Sequence, residues 1–506
     1  MSRLDYSIKN TKYALIGQII SLLVSFITRT VFIQYLGNEY LGVSGILSNI
    51  MSIMSLAELG IGASIIYGLY LPLKENDHEK IKSLIKLYKI TYRIIAIFIL
   101  LLGIVLLPFI NLIVNVDQSF DNLSFYFMLF VLNTSFSYLL AAKKSLIMAD
   151  QKKYITTLYK YSFYIILNLV QIFILVTFKD FTLFLVMQIL FTLLENYVVS
   201  KKANKLYPYL LDSDVDKLSN EETKLIYKNS LAMFGHKLGG IVVGATDNLL
   251  ITQFIGITLV GVYSNYLLVI SAFNVFGSLF FTSVISSIGN LGAEENKEKL
   301  LKVFYRLLFI NFIYYSISAL GLFLLFNEFI LLWIGPEFLM NRFTVSIIII
   351  IYFVNGMRKT TLSFRDALGL FWQDRYKPII ESIINLLASL LLVYYIGIDG
   401  IFLGTLISLL TTCFWIEPLV LYKYFNVSII NYFKVYFKYV IFLVINASIL
   451  LFVTMLYQDF SQIWYFIISF ITILFIYACS LLIIFRKNDN FLFYYKIIKE
   501  KILKIK

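Results

Sequence analysis

Of the 506 residues, 60% are hydrophobic and only 14% are charged, yet the formal net charge is +13. Soluble domains carry about 25% charged residues, so this chain lacks the polar surface to coat a globule, and its apolar residues run from end to end rather than in one tether. A bilayer asks for no such coat, and the chain reads as an all-α integral membrane protein of about fourteen transmembrane helices.

A span needs about 20 mainly apolar residues. In chain order such runs fall at 13–36, 43–70, 94–114, 123–143, 155–178 and 181–200. After a polar stretch they resume at 229–255, 260–289, 303–332, 343–366, 378–397, 400–422, 435–457 and 461–485. The first run is too long for the core of a secretory signal, and no small-x-small cleavage site follows it, so it is expected to stay as a span. Gly60, Gly62, Gly277 and Gly289 make the second and eighth runs candidates for a bend or break. Cys413 and Cys479 both lie in apolar runs, as expected of reduced packing residues rather than a disulfide framework.

Orientation follows from the cations, because cytoplasmic loops collect Lys and Arg. Arg3, Lys9 and Lys12 precede the first span, and the next turn, 37–42, has no cation. Lys74, Lys80, Lys82, Lys86, Lys89 and Arg93 follow, then a loop with Asp117 and Asp121 and no cation. The alternation continues to the end of the chain, and only Lys179 and Arg342 fall on the outer side. Both termini are therefore expected in the cytoplasm. The charge of +13 needs no nucleic-acid partner: it is the positive-inside pattern, with attraction to anionic inner-leaflet lipids. The tail places Phe491, Tyr494, Tyr495, Ile498, Ile502 and Ile505 on one helical face with lysines opposite, as a helix lying on the membrane surface would.

The chain repeats itself. Gln34-Tyr35-Leu36-Gly37 with Leu41-Gly42-Val43 returns, 219 residues on, as Gln253-Phe254-Ile255-Gly256 with Val260-Gly261-Val262. Gln151-Lys152-Lys153-Tyr154 returns as Gln373-Asp374-Arg375-Tyr376 at an offset of 222, and Lys179-Asp180 matches Ile398-Asp399. The reading is a six-helix lobe at 1–205, a cytoplasmic linker at 206–224, a second six-helix lobe at 225–425, an additional helix pair at 426–486 and a basic amphipathic tail at 487–506. An even number of spans per lobe makes the lobes pseudo-twofold related about the membrane normal, an arrangement that suits rocking about a central site. Duplication without moving parts would leave the same trace.

An ionised side chain at mid-bilayer costs about 2.5–3.5 kcal/mol on insertion scales, so it tends to face a cavity. The candidates are Arg29, Glu58, His236, Lys237, Asp247, Arg358 and Lys359. Asp247 falls one position from Arg29 in the repeat, which allows an ion pair between them. His236 fits a packed polar residue as well as a cavity role. Glu195, Glu381 and Glu417 lie nearer the cytoplasmic ends, where they can snorkel or pair with lysines. Cations at several depths suit an anionic cargo, with Arg able to fork onto two phosphate oxygens. No GxxxxGK[ST], HExxH or GxSxG occurs, nor a His/Cys cluster, so no catalytic residue, metal or cofactor is expected.

Arg29-Thr30-Val31-Phe32-Ile33-Gln34-Tyr35-Leu36-Gly37, followed by Glu39-Tyr40-Leu41-Gly42 and then Leu56-Ala57-Glu58-Leu59-Gly60-Ile61-Gly62, resembles the start of bacterial polysaccharide (O-antigen-type) flippases. These belong to the multidrug/oligosaccharidyl-lipid/polysaccharide exporter superfamily. The resemblance implies two six-helix lobes and transport of undecaprenyl-diphosphate-linked oligosaccharide from inner to outer leaflet. It implies a bacterial plasma-membrane location and that Arg29, Lys237, Arg358 and Lys359 hold the diphosphate. Glu58 and Asp247 are candidate coupling or cavity acids, and His236 a candidate cavity residue, by their own places in the apolar spans. Expected partners are the lipid-linked oligosaccharide and membrane lipids, with polysaccharide polymerase and glycosyltransferases as candidates, and a monomer is expected. The additional helix pair resembles fourteen-helix relatives that include lipid II flippases. Rival readings are a lipid II flippase, a cation-coupled multidrug exporter, a polytopic glycan ligase and a scaffold for glycan assembly.

Topology is directly testable. Single cysteines at Asp121, Asp399 and Asp459 should label from outside intact cells, and cysteines at Asp77, Asn220 and Asn490 should not. Labelling of the second group in sealed cells would overturn the fourteen-span reading.

Overall fold

A computed structural model describes residues 3–58, 61–114, 122–211, 218–219, 224, 244, 246–293, 296–370 and 372–503. Every described element is an α-helix or a short 3-10 turn, because a bilayer offers backbone amides no water and a helix satisfies them internally. The helices are α1 (Arg3–Met54), α2 (Ile61–Glu75), α3 (His78–Leu106), α4 (Ile110–Val114), α5 (Leu123–Tyr138), α6 (Ala141–Ala149), α7 (Lys153–Phe178) and α8 (Phe181–Leu206). There follow a helical stretch at 246–254, then α9 (Ile257–Ala293), α10 (Lys297–Ile334), α11 (Arg342–Ala367), α12 (Lys377–Ile396) and α13 (Ile398–Thr411). The last are α14 (Cys413–Phe425), α15 (Ile430–Thr454), α16 (Gln462–Phe485) and α17 (Asp489–Leu503).

Among the described residues eleven helices are long and apolar enough to cross a membrane, or twelve if the bent pair α5 and α6 is one span. The first of these contains two runs, since Gly37 breaks α1 at φ 81°. Of the seventh run only the helical stretch 246–254 is described, and the described helices agree approximately with about fourteen spans. The second run is broken, as its glycines suggested: α1 ends at Met54, a 3-10 turn covers Ser55–Glu58, and α2 begins at Ile61. The eighth is one helix across Gly277, where a Cβ would meet the Tyr315 hydroxyl at 2.5 Å, so that glycine serves close packing. Both cysteines are free.

The repeat has a physical basis at its anchors. Gly37 and its counterpart Gly256 both take positive φ, 81° and 129°, which a residue with a Cβ adopts only under strain. Asp77 caps α3 by accepting from Lys80 N at 2.9 Å, and Asn296, again 219 residues on, caps α10 by accepting from Lys299 N at 2.9 Å. These caps extend the repeat beyond the segments in which it is visible as sequence identity.

The chain forms two compact units, Met1–Ser264 and Asn265–Lys506, divided within α9. In the first, α1 packs along α7, α3 along α5, and α8 against both α5 and α7. Phe32, Tyr40, Tyr126 and Phe181 form an aromatic knot with ring centroids 4.9–6.3 Å apart. The second half of α1 crosses the start of α9 reciprocally. A Cβ at Gly42 would collide with the Ile257 carbonyl, and one at Gly261 would lie 2.5 Å from the Asn38 carbonyl. Asn38 and Ile257 are themselves repeat counterparts, so this is a two-fold contact in miniature.

In the second unit α10 is the central post. It packs on α11 and α16 and meets α15 and α17. Phe312 stacks on Tyr439 of α15 at 4.0 Å and 6°, and Tyr477 of α16 bonds Ser316 at 2.6 Å. The additional pair is thus fastened to α10 by aromatic packing. α12 lies against α13, where Gly400 and Gly404 let backbones approach at Leu392 and Ser389. The tail helix α17 docks on the basic end of α10, with Tyr494 donating to the Arg306 carbonyl at 3.3 Å and Arg306 over the Phe493 ring at 3.6 Å. One residue of the expected membrane-facing stripe, Tyr494, is therefore used for docking.

Gly42→Leu or Gly261→Leu should destabilise the fold by about 1–3 kcal/mol or more, as overpacking does. Gly321→Ala, with open space at its Cβ, should be tolerated. Thermal melts of purified variants check both; equal melting temperatures across the set would remove the crossing from the list of fold determinants.

Candidate functional site: buried cations of the membrane helices

The site residues expected from sequence fall into three groups. His236 and Lys237 lie outside the described residues. Arg29 and Lys359 sit in apolar helices with neutral partners. Arg358 sits in an ion cluster.

Arg29 emerges from α1 on a polar face shared with α7. Along that face Gln18 accepts from the Tyr161 hydroxyl at 2.7 Å, and Ser25 bonds the Tyr164 hydroxyl at 2.7 Å. The Arg29 guanidinium is half-buried and donates to Ser264 Oγ at 2.9 Å. Among the described residues no ion pair links it to Asp247, which is buried in the stretch 246–254. The pairing suggested by repeat position is replaced by a neutral hydroxyl. Sequence offset places residues at equal depth, while helix rotation decides which side chains meet.

In the second unit, α11 carries Asn355, Arg358 and Lys359 within one turn. Lys359 is half-buried and reaches the Asn274 carbonyl at 3.3 Å, with its ammonium 5.6 Å from the Tyr315 ring. Like Arg29, it has no carboxylate partner among the described residues. Arg358 faces the other way. Its Nε donates to Glu417 Oε2 at 3.0 Å and a terminal nitrogen to Oε1 at 2.7 Å, and the other terminal nitrogen bonds Asn355 Oδ1 at 2.5 Å. Lys377, at the start of α12, also donates to Glu417 Oε1. Exposures are 14% for Arg358, 7% for Lys377 and 0% for Glu417. The fork expected to hold two phosphate oxygens is directed onto a protein carboxylate.

Glu417, read from sequence as a snorkelling or loop-paired acid, is the centre of this cluster. Its repeat counterpart at offset 222 is Glu195, which pairs with Lys144 at 3.1 Å. An acid at the same place in two apolar runs was the available signal for a structural role; its partners were not visible. Glu58 lies at the break between α1 and α2 and accepts from the Tyr138 hydroxyl at 3.1 Å. Tyr138 is stacked with Tyr92 at 6.1 Å.

Two neighbouring cavities complete the second unit. One is an apolar groove of about 440 Å³ along α10, α11 and α15, lined by residues such as Leu320, Ile350, Phe353, Phe437, Val440 and Val444. It shares Phe323 and Ser346 with a polar cup of about 570 Å³ at the helix ends.

No described protein family matches the chain, and no curated protein is similar to it in sequence. Solved structures are similar in fold. A lipid II flippase, MurJ, in an inward closed conformation superposes with a TM-score of 0.68 at 17% identity, covering 94% of this chain and 99% of that one. An inward-facing multidrug resistance MATE family transporter of the MOP superfamily gives 0.60 at 15%, covering 81% and 98%. A MOP superfamily transporter from Pyrococcus furiosus, described by the reverse polarity of its binding pocket, gives 0.54 at 15%, covering 85% and 98%. The fold therefore defines the class: a multi-pass membrane protein with the fold seen in these flippase and transporter structures. Within that class the lipid II flippase matches over nearly the full length of both chains.

The Glu417 cluster should behave as a structural unit. Removing one partner of a buried ion cluster costs about 3–5 kcal/mol. Glu417→Gln, which leaves two cations facing each other, should therefore destabilise strongly. Arg358→Met should cost less, because Lys377 still holds the carboxylate. Melting of the single variants and of the Arg358→Met/Glu417→Met pair in a double-mutant cycle checks this; additive effects would mean the groups do not interact.

Proposed function

We propose that the chain is a flippase that carries an undecaprenyl-diphosphate-linked oligosaccharide from the inner to the outer leaflet by alternating access. The observation that carries this reading is the pair Arg29 and Lys359. Each unit holds one cation inside its apolar helices with only neutral partners among the described residues. A cation in hydrocarbon costs about 2.5–3.5 kcal/mol, and a cargo with an anionic head offsets that cost as it passes. The diphosphate supplies the charge, and Arg29 presents unused donors to it. The apolar groove has room for a hydrocarbon chain, as a lipid-linked cargo requires. Lys237 is retained as a third contact by its place in the sequence. Arg358 is assigned instead to holding Glu417. The protein works in the plasma membrane with both termini cytoplasmic, as a monomer, and receives its cargo from glycosyltransferases and delivers it to a polymerase.

A second reading, transport of lipid II, is favoured by the fold similarity to a lipid II flippase. A cation-coupled drug exporter would need acidic groups open to a positively charged cargo; Glu417 is already held by two cations, which leaves Glu58 and Asp247 as the acids that reading would use.

Proteoliposomes loaded with defined lipid-linked glycans and, separately, with lipid II discriminate these readings. Arg29→Ala or Lys359→Ala should slow flipping about tenfold to a hundredfold with unchanged protein level, the loss of one charge-assisted hydrogen bond. Arg29→Lys should restore only part, since a point charge replaces a fork. Unchanged rates in both alanine variants would overturn the assignment, and export of an organic cation in place of any glycan lipid would overturn the function.

A further inference from the structure

We propose that the polar cup at the ends of α10, α11, α15 and α16 is a carbohydrate-binding site on the outer side of the membrane. The cup, about 570 Å³, falls within the ~300–1,000 Å³ typical of small-molecule sites. It lies at the helix ends opposite the basic loops, the ends that the distribution of Lys and Arg assigns to the outside. One of only two cations expected on that side, Arg342, lines it.

The lining chooses the class of ligand. Arg342 is 87% exposed and stands 3.8 Å from Glu328, so its charge is solvated and partly offset by the carboxylate, and a phosphate or a carboxylate gains little there. Around them Gln458 and Gln462 supply planar amides, and Phe323, Phe460 and Tyr465 supply ring surface. Gln462 Nε2 is buried and has no hydrogen-bond partner among the described residues, and the hydroxyl of Tyr457, in the adjoining 3-10 turn, is in the same state. A buried donor without an acceptor is costly, and a ligand oxygen in the cup relieves it. Sugars match this set: their hydroxyls donate and accept at planar carboxylate and amide groups, and their C–H faces lie on aromatic rings. The shared border with the apolar groove at Phe323 and Ser346 leaves a sugar in the cup continuous with space for hydrocarbon.

The binding site is argued from its own residues. The source of the sugar, the glycan delivered by transport, rests on the flippase reading above. In that role the cup receives the sugar end of the cargo on the outer side, and it is a property of the additional helix pair, which supplies Gln458, Phe460, Gln462 and Tyr465.

The full chain in lipid nanodiscs, with free galactose, N-acetylglucosamine and glucuronate as probes, tests the site by saturation-transfer NMR. At least one neutral sugar should receive saturation, glucuronate less. Gln462→Leu and Glu328→Gln should each weaken binding about tenfold, with unchanged melting temperatures. Arg29→Ala should leave sugar binding intact while transport falls. No transfer to any probe, or undiminished transfer in both cup variants, overturns the site. Normal glycan flipping without sugar binding overturns the cup and leaves the flippase reading standing; sugar binding without flipping supports the cup and overturns the flippase reading.

Discussion

In the hydrocarbon interior of a bilayer there is no water to complete a hydrogen bond or to screen a charge, and each polar group must find a partner within the protein. Helices answer that demand for the backbone. For side chains the answer is local and visible residue by residue. Serines and threonines bond to the preceding turn, as Ser21, Ser25 and Thr30 do in α1. Asparagines reach neighbouring backbones, as Asn311 of α10 does at Gly356 and Met357 of α11. Charged groups are the hard cases, and they are met in two different ways.

Glu417 and its two cations form a closed set: a carboxylate at zero exposure, a guanidinium in bidentate contact and an ammonium beside it. They join α11, α12 and α14. Such a set has little left to offer a cargo. Arg29 and Lys359 are the opposite case, cations held by a hydroxyl, a carbonyl and a ring face. Among the described residues no carboxylate pairs with either, and the proposed function rests on that difference. The repeat does not duplicate these cations, since Arg29 lies in the first apolar run of the sequence and Lys359 in the tenth.

The repeat acts instead on the backbone. Gly37 and Gly256 turn the chain with positive φ, Asp77 and Asn296 cap helices at the same register, and Gly42 and Gly261 let two helices cross at backbone distance. Each is a position where chemistry allows few residues, so these survive while the apolar filling between them drifts. The additional pair α15 and α16 lies outside the repeat. It is held by aromatic side chains on α10, and it contributes about half the wall of the polar cup.

The amino-acid sequence by itself determined the membrane class, the run of spans and the break in the second of them, because hydropathy acts over a few residues. The break candidate in the eighth run is instead a continuous helix, and the turn at Gly37 and the bend between α5 and α6 appear only in the fold. The sequence also singled out the cations within the spans, since a charge in an apolar run is a local fact. Only the tertiary structure decided which of them are neutralised. Arg358 and Lys377 meet Glu417 across 59 and 40 residues of chain, and Arg29 meets Ser264 across 235. Those encounters depend on how each helix is rotated about its axis, which follows from side-chain packing along its whole length. The cup had no local signature either, for Glu328, Arg342 and Gln462 come from three separate helices and acquire a common chemistry only where those helices end together.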